Sequence, residues 1–221
     1  MHRTMFQGIL IVAVALIAVQ AWAYPDFARG TKIACASCHM NPAGGVDLND
    51  AGKAFKADQT KAPEAIAGAD YSGVAKCKMC HMKQYKSWFG SKHAKAFGNL
   101  KSADAKAVEA MATALKVELK GSPAEAPECV KCHVTGYQLT GGYPAADSAK
   151  TAAVENVTCE ACHGPGSKHA SAPMAEKKKL INRAVSANMC MQCHIAATSP
   201  KFNYEEYKKL GVHTVAAAAA K

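Results

Sequence analysis

Five pairs of cysteines share one spacing, and a histidine follows each pair at once. Two residues separate the cysteines of a pair, and the pairs use all ten cysteines of the chain. The sets are Cys35, Cys38 and His39; Cys77, Cys80 and His81; Cys129, Cys132 and His133; Cys159, Cys162 and His163; and Cys190, Cys193 and His194. Cys-x-x-Cys-His is the attachment signal for c-type haem, because the thiols bind one porphyrin and the histidine supplies an axial imidazole. The sequence therefore predicts five covalently bound haem c groups, each with an iron and a proximal histidine.

Other uses of paired cysteines fit this pattern less well. A disulfide framework does not require such regular pairs. Structural zinc sites do not require a histidine after every pair, and they fit poorly with an odd number of pairs. A thioredoxin-like motif lies within a βαβ pattern, and none surrounds these cysteines.

The sixth ligand of each iron separates an electron carrier from a catalyst. Beyond the proximal histidines and His2, the chain contains His93, His169 and His213, and we expect each of these to ligate a haem. On a helix His93 would point about 120° away from His81, which predicts that the two serve different haems. Two haems would then be open, bind methionine or take a ligand from another chain. Met111 and Met174 are the best-separated methionines, although Met111 fits an apolar helical stripe that favours packing.

The elements that position these residues are predicted to be helices and loops. Apolar spacing predicts a helix from Leu100 to Lys120, capped by Ser102 and stopped by Gly121. Ser186 is predicted to cap a helix through the fifth motif. Asn203 is predicted to cap a short helix with glutamates in its first turn and lysines in its last. The predicted fold class is mainly α with extensive loops, a multihaem cytochrome c organised around stacked haems with little or no sheet.

The two ends of the chain predict export and a short tail. Residues 1–23 have a basic start, an apolar run and the small-x-small pattern Ala21-Trp22-Ala23, which is typical of a cleaved signal peptide rather than an uncleaved anchor. We therefore expect a periplasmic or extracellular protein with no stable membrane insertion after cleavage. Residues 24–70 are predicted to form a one-haem module with a linker, residues 71–215 a four-haem body, and residues 216–221 a disordered tail.

The charge of the chain does not indicate nucleic-acid binding. The formal net charge is +10. Five haems carry two propionates each and would add about ten negative charges, so most of the lysine excess is counter-charge for the cofactors. Lysine runs such as Lys177–Lys179 are interpreted as a solvated face. A basic patch for an acidic redox partner is compatible with this charge.

Residues around four of the motifs carry a family resemblance. The second motif is followed by Tyr85, Trp88, Ser91, His93 and Ala94, the third by Thr135-Gly136-Tyr137, and the fourth by Gly-Pro-Gly and His169. A Tyr/Phe-rich stretch and His213 follow the fifth motif. From Tyr71 to its C-terminus the chain thus resembles the cytochrome c-554 family. The resemblance implies distal ligation by His93, His169 and His213, and an open five-coordinate haem at Cys129–His133. The motif at Cys35–His39 departs from the family's four-haem pattern and lacks a histidine for its sixth position.

Three functions follow from these patterns. The leading expectation is electron transfer between redox protein partners by hopping from haem to haem, with the physiological donor and acceptor not defined by the sequence. The second is a small reductase of nitrogen oxides at an open haem, for which the sequence offers no extra acid–base histidine. The third is a homo-oligomer or conducting filament, in which a neighbouring subunit donates a missing ligand. Catalysis is therefore not the expected primary activity.

Overall fold

The computed structural model of the chain describes residues 27, 31, 33, 35–40, 44, 46–61 and 70–210. Within these residues the regular structure is helical, and the only β pairing consists of the isolated bridges His39–Leu48 and Val134–Glu155. The α-helices are α1 Asp50–Ala57, α2 Val74–Cys80, α3 Met82–Phe89, α4 Ala96–Lys101, α5 Ala105–Leu115, α6 Pro127–His133, α7 Ser148–Val154, α8 Cys159–His163, α9 Ser167–Ser171, α10 Met174–Lys177, α11 Ala187–Cys190 and α12 Tyr204–Leu210. Short 3₁₀ turns occupy Cys35–Ser37 and His93–Lys95. This architecture confirms the predicted fold class.

The first cysteine motif is packed directly against helix α1. Asn49 caps α1 by accepting a hydrogen bond from the Gly52 N–H at 2.8 Å, and its side-chain amide donates to the Ser37 carbonyl at 3.2 Å. A Cβ atom added at Gly52 would lie 2.0 Å from the Cys38 carbonyl oxygen. Only a glycine therefore allows this approach of the helix to the motif.

We expect Gly52→Ala to loosen the N-terminal motif, because overpacking against a backbone atom costs about 1–3 kcal/mol. Limited proteolysis of the holo-protein should then cut between residues 40 and 61 about ten-fold faster or more. The matched control is Gly98→Ala in α4, where an added Cβ meets no atom within 4 Å. Equal cleavage rates in the two variants would contradict the proposed packing.

The core of the described body is a small apolar cluster that joins α4 to α6. It contains Phe97, Leu100, Cys129, Val130 and Val134. The Tyr143 ring contacts that of Phe97 at a centroid distance of 5.2 Å. The small size of this cluster agrees with the expectation that bound cofactors make up much of the core.

Buried hydroxyl groups connect the segments next to the third and fourth motifs. The Thr135 hydroxyl donates to the Asn156 carbonyl at 2.8 Å and accepts from the Thr158 N–H at 2.9 Å. Thr135 and Thr158 are both almost fully buried. On the neighbouring α3, the buried Trp88 donates its indole N–H to the Val157 carbonyl at 2.9 Å. The chain around α3 and the chain before α8 are thereby held side by side.

The predicted helix from Leu100 to Lys120 is wrong in its length and its cap. Asp104, not Ser102, caps α5 by accepting from the Ala107 N–H. The helix ends at Leu115 because Lys116 adopts a left-handed conformation with φ of 55°. Since Leu119 lies beyond this end, its helical spacing from Leu115 is coincidental.

The two predicted C-terminal caps have different outcomes. Asn203 accepts from the N–H groups of Glu205 and Glu206 at the start of α12, at 3.0 and 3.3 Å, which confirms it as a cap. Ser186 occupies the N-cap position of α11, but its side chain makes no capping hydrogen bond. The serine's position was therefore predicted correctly and its interaction was not.

Several predictions concern residues outside the described part of the chain. The signal peptide at residues 1–23, His213 and the tail at residues 216–221 all lie there. The division at residue 70 stays a prediction. Among the described residues, no helix is long and apolar enough to cross a membrane.

Candidate haem-attachment sites

Each cysteine motif is built on a turn of helix. The third and fourth motifs lie within α6 and α8, and the second and fifth occur at the ends of α2 and α11. In the first, second and fifth motifs the histidine N–H donates to the carbonyl of the first cysteine, at 2.9, 2.8 and 2.9 Å. Residues three apart on a helical turn share one face, so the two thiols of a motif point to the same side. This placement suits two bonds to one porphyrin.

Backbone carbonyls fix the proton position on three of the histidine rings. The Nδ1 atoms of His133, His163 and His169 lie 2.8, 2.6 and 2.8 Å from the carbonyl oxygens of Ala96, Asn182 and Lys177 respectively. A carbonyl oxygen only accepts hydrogen bonds, so Nδ1 must carry the proton. The Nε2 atom of each neutral ring is then the bare nitrogen that a metal ion binds. These residues fit an axial ligand role.

Two pairs of histidine rings lie at a separation that suits a shared metal ion. The ring centroids of His81 and His169 are 6.1 Å apart, and those of His93 and His194 are 6.0 Å apart. Two imidazoles that bind one metal from opposite sides through bonds of about 2 Å have centroids about 6 Å apart. In each pair one ring belongs to a Cys-x-x-Cys-His motif, and the other follows a different motif. His93 thus lies beside the fifth motif, although it follows the second along the chain.

The surroundings of His194 orient its ring. Phe202 stacks on it at a centroid distance of 4.5 Å with an interplanar angle of 13°. The Ser199 hydroxyl lies 3.2 Å from its Nδ1 atom. Burial lowers the pKa of both His93 and His194, and the proximity of His194 adds to the effect at His93. Both rings are therefore kept neutral, which is the form that binds metals.

Cysteines of different motifs lie close together. A hydrogen bond between the thiols of Cys77 and Cys159 raises the pKa of Cys77 and lowers that of Cys159. Burial raises the pKa of the Cys162 thiol to about 11, and the nearby Cys190 and Cys159 add to this. The second and fourth motifs are therefore in contact through Cys77 and Cys159, and the fifth motif lies near the fourth through Cys190 and Cys162.

Glu160 lies between the two cysteines of the fourth motif, and its carboxylate is buried. Its Oε1 atom accepts from the N–H groups of Ser72 and Gly166 at 2.8 and 2.7 Å, and Oε2 accepts from the Gly73 N–H at 2.8 Å. Burial raises the pKa of this carboxyl, and the three N–H donors oppose the rise because they stabilise the ionised form. Glu160 therefore fastens the fourth motif to the segment that precedes the second.

Two further residues position histidines, a role that the sequence analysis gave to neither of them. Asn182 is buried, and its backbone carbonyl accepts a hydrogen bond from the His163 Nδ1 atom. Its side-chain NH₂ group donates to the backbone carbonyl of Cys162 at 3.2 Å. Lys177 accepts from His169 and donates its ammonium to the carbonyls of His169 and Ala170 at 2.8 and 2.7 Å. The interpretation of Lys177 as part of a solvated face is therefore wrong. The only sequence signal for this role is its position eight residues after a candidate ligand.

The remaining candidate ligands have different surroundings. Met111 and Met174 are 39% and 78% exposed, so the expected packing of Met111 in a core is wrong. His39 sits at the end of the first motif and bridges to Leu48. His213 lies outside the described residues.

The central part of the chain is similar to known cytochromes. Residues 76–164, which contain three of the five motifs, match the family described as Cytochrome c554 and c-prime. Cytochrome c-554 of Nitrosomonas europaea is 36% identical over 107 residues, which are 48% of this chain. That match spans 43% of the relative's own length, less than half of it.

A solved structure supports the same relationship. The reduced state of cytochrome c554 from Nitrosomonas europaea matches this fold with a TM-score of 0.51 and 27% sequence identity. The match covers 65% of this chain and 83% of that one. It confirms the resemblance that the sequence predicted from Tyr71 onwards. The central part of this chain is therefore similar to the cytochrome c-554 family, and this similarity implies covalently bound haem c.

Proposed function

We propose that the chain is a pentahaem c-type cytochrome that transfers electrons between redox proteins outside the cytoplasm. The observation that carries this proposal is the pairing of His81 with His169 and of His93 with His194, at centroid distances of 6.1 and 6.0 Å. Each pair of imidazoles would hold one iron. Binding by both rings would leave that iron no position for a substrate, which would favour electron exchange over catalysis.

The protein's part in this function is to attach, orient and bury the cofactor. The haem iron, when bound, supplies the electron by alternating between its ferric and ferrous forms. Ala96, Asn182 and Lys177 orient the histidine rings through their carbonyls. The Cys77 and Cys159 thiols share a hydrogen bond, and Cys162 lies near enough to Cys190 for an electrostatic interaction, which supports short distances between neighbouring porphyrins.

The second motif has a central place in this arrangement. His81 belongs to it and pairs with His169, whereas His93, twelve residues later, pairs with His194. One short segment would therefore supply an axial ligand to each of two haems. Division of the polypeptide within α3 would therefore separate His81 from its partner His169.

Counting the cofactors tests the pentahaem part of the proposal. We expect the mature protein to carry five haems, measured by intact-mass spectrometry and by the pyridine haemochrome assay. Cys35→Ala/Cys38→Ala should remove one haem and leave the other four, because the first motif has a helix of its own, α1, packed against it. Reversible reduction by dithionite and reoxidation by ferricyanide should persist in this variant.

Two results would contradict the proposal. A wild-type protein with four haems would show that one of the five motifs binds none, and an unchanged count in Cys35→Ala/Cys38→Ala would identify it as the first. A wild-type protein that carries haem but does not cycle between oxidised and reduced spectra would exclude electron transfer.

A further inference from the structure

The lysines of the chain are concentrated around the second cysteine motif. Between Tyr71 and Ala103 the sequence has seven lysines and no aspartate or glutamate. All seven side chains are exposed, and of these seven lysines only Lys101 forms an ion pair with a described residue, Glu155, at 3.3 Å. The next segment, residues 104–128, has five acidic residues and three lysines. The positive charge is therefore local, and it does not follow from a uniformly basic surface.

Helix α3 presents one mixed basic and apolar side to solvent. Met82, Lys86 and Phe89 are spaced four and three residues apart, so they share a helical face. Trp88 lies on the opposite face and is buried. Because Trp88 anchors the helix, the face that carries Lys86 is held outward.

Helix α2 continues this surface. Lys78 of α2 lies over the Tyr85 ring of α3 at 5.0 Å, and Tyr85 stacks with Phe89 at a centroid distance of 5.8 Å. We define the basic face as the exposed lysine, methionine and phenylalanine side chains of α2 and α3, which are Lys76, Lys78, Met79, Met82, Lys83, Lys86 and Phe89.

The three apolar side chains of the basic face are exposed to solvent. Met79 is 76% exposed, Phe89 62% and Met82 42%. Methionine and aromatic residues are enriched in protein–protein interfaces, where an apolar centre lies within a charged rim. Cys80, at which the second motif would hold its porphyrin, is the last residue of α2. The basic face thus lies on the two helices that flank the second motif's attachment point.

We propose that the basic face is the docking surface for an acidic redox protein, which exchanges electrons with the haem of the second motif. This inference rests on the proposed electron-transfer function and adds the location and the chemistry of the partner. Complementary charge would steer the encounter, and the exposed methionines and Phe89 would form the apolar centre of the interface, from which water is excluded. In each encounter the donor's cofactor loses one electron and the cytochrome gains it. An anionic membrane surface would also attract lysines, but it has no cofactor with which to exchange an electron.

The test uses the five-haem holo-protein and reduced flavodoxin, an acidic flavin protein, as the electron donor. The test variant is Lys76→Gln/Lys83→Gln/Lys86→Gln, which removes three charges from the basic face. The matched control is Lys106→Gln/Lys120→Gln/Lys201→Gln, which removes three exposed charges elsewhere. Stopped-flow absorption follows haem reduction at low and high ionic strength. Haem content is measured for each variant so that only fully loaded proteins are compared.

We expect the second-order rate constant at low salt to fall about ten-fold in the test variant and less than two-fold in the control. This difference should vanish at about 0.5 M salt, because screening removes steering between exposed charges. Equal rate constants in the two variants would overturn the proposal.

A second assay separates the membrane alternative from the proposal. Wild type and both variants are sedimented with vesicles of phosphatidylcholine and phosphatidylserine. Loss of vesicle binding in the test variant with no change in the flavodoxin rate constant would identify a lipid-binding face and overturn the proposal. Failure of wild type to cycle with dithionite and ferricyanide would instead contradict electron transfer itself, so the two failures are distinguishable.

Discussion

Replacement of Glu160 by glutamine is expected to destabilise the holo-protein. The carboxylate accepts three backbone N–H bonds, from Ser72, Gly73 and Gly166. A glutamine oxygen at the Oε1 position keeps two of them, but its NH₂ group then faces the N–H of Gly73. A buried donor without an acceptor costs about 1–3 kcal/mol. We therefore expect Tm, measured by far-UV circular dichroism, to fall by about 2–4 °C for each kcal/mol lost from the free energy of unfolding.

Glu160→Ala should be more damaging than Glu160→Gln, because it leaves all three N–H groups without their acceptor. The matched control is Glu125→Gln, at an exposed position outside the motifs, and its Tm should remain within about 1 °C of wild type. An unchanged Tm for Glu160→Gln would show that the carboxylate contributes nothing to holding the fourth motif against Ser72 and Gly73.

Removal of either distal imidazole is expected to convert one haem from low-spin to high-spin. His93→Gly and His169→Gly each leave an iron with its proximal histidine alone. Low-temperature EPR of the ferric protein should then show one more high-spin haem than wild type. Added imidazole should restore the low-spin signal, because the vacated space accepts the free ligand. This rescue separates lost ligation from general unfolding.

A motif-deletion background tests which haem each histidine serves. Cys190→Ala/Cys193→Ala removes the haem of the fifth motif, the proposed partner of His93. In this background His93→Gly should leave the number of high-spin haems unchanged, whereas His169→Gly should still add one high-spin haem. Met111→Ala serves as the control that alters no ligand. If His93→Gly still adds a high-spin haem in this background, the pairing of His93 with His194 is wrong.

Local features of the structure were largely predictable from the sequence. The five motifs depend only on spacing, and Asn203 is a cap because its carboxamide reaches N–H groups two and three residues away. The end of α5 was missed because Lys116 adopts a left-handed conformation that a lysine rarely takes. No nearby glycine marked this boundary.

Contacts between distant parts of the chain were not predictable in the same way. Which proximal histidine lies beside His93 depends on how α3 packs against the segment before α8, through Trp88 and Val157. In the sequence, nothing distinguishes Glu160 from an ordinary acidic residue between two cysteines. Its three hydrogen-bond donors are backbone N–H groups of loops at residues 72–73 and 166. The sequence suggested the histidine ligands, whereas their pairing required the tertiary structure.

The separation of the paired histidines along the chain bears on the biogenesis of the cytochrome. His81 and His169 are 88 residues apart, and His93 and His194 are 101 residues apart. If the chain is exported as we propose, its N-terminal segment would receive porphyrins before the residues that complete their coordination have left the translocation pore. Contacts between such distant residues form late and slowly. The proposed histidine coordination would therefore be completed only after nearly the whole polypeptide had been delivered, so covalent attachment of the haems would precede the setting of their reduction potentials.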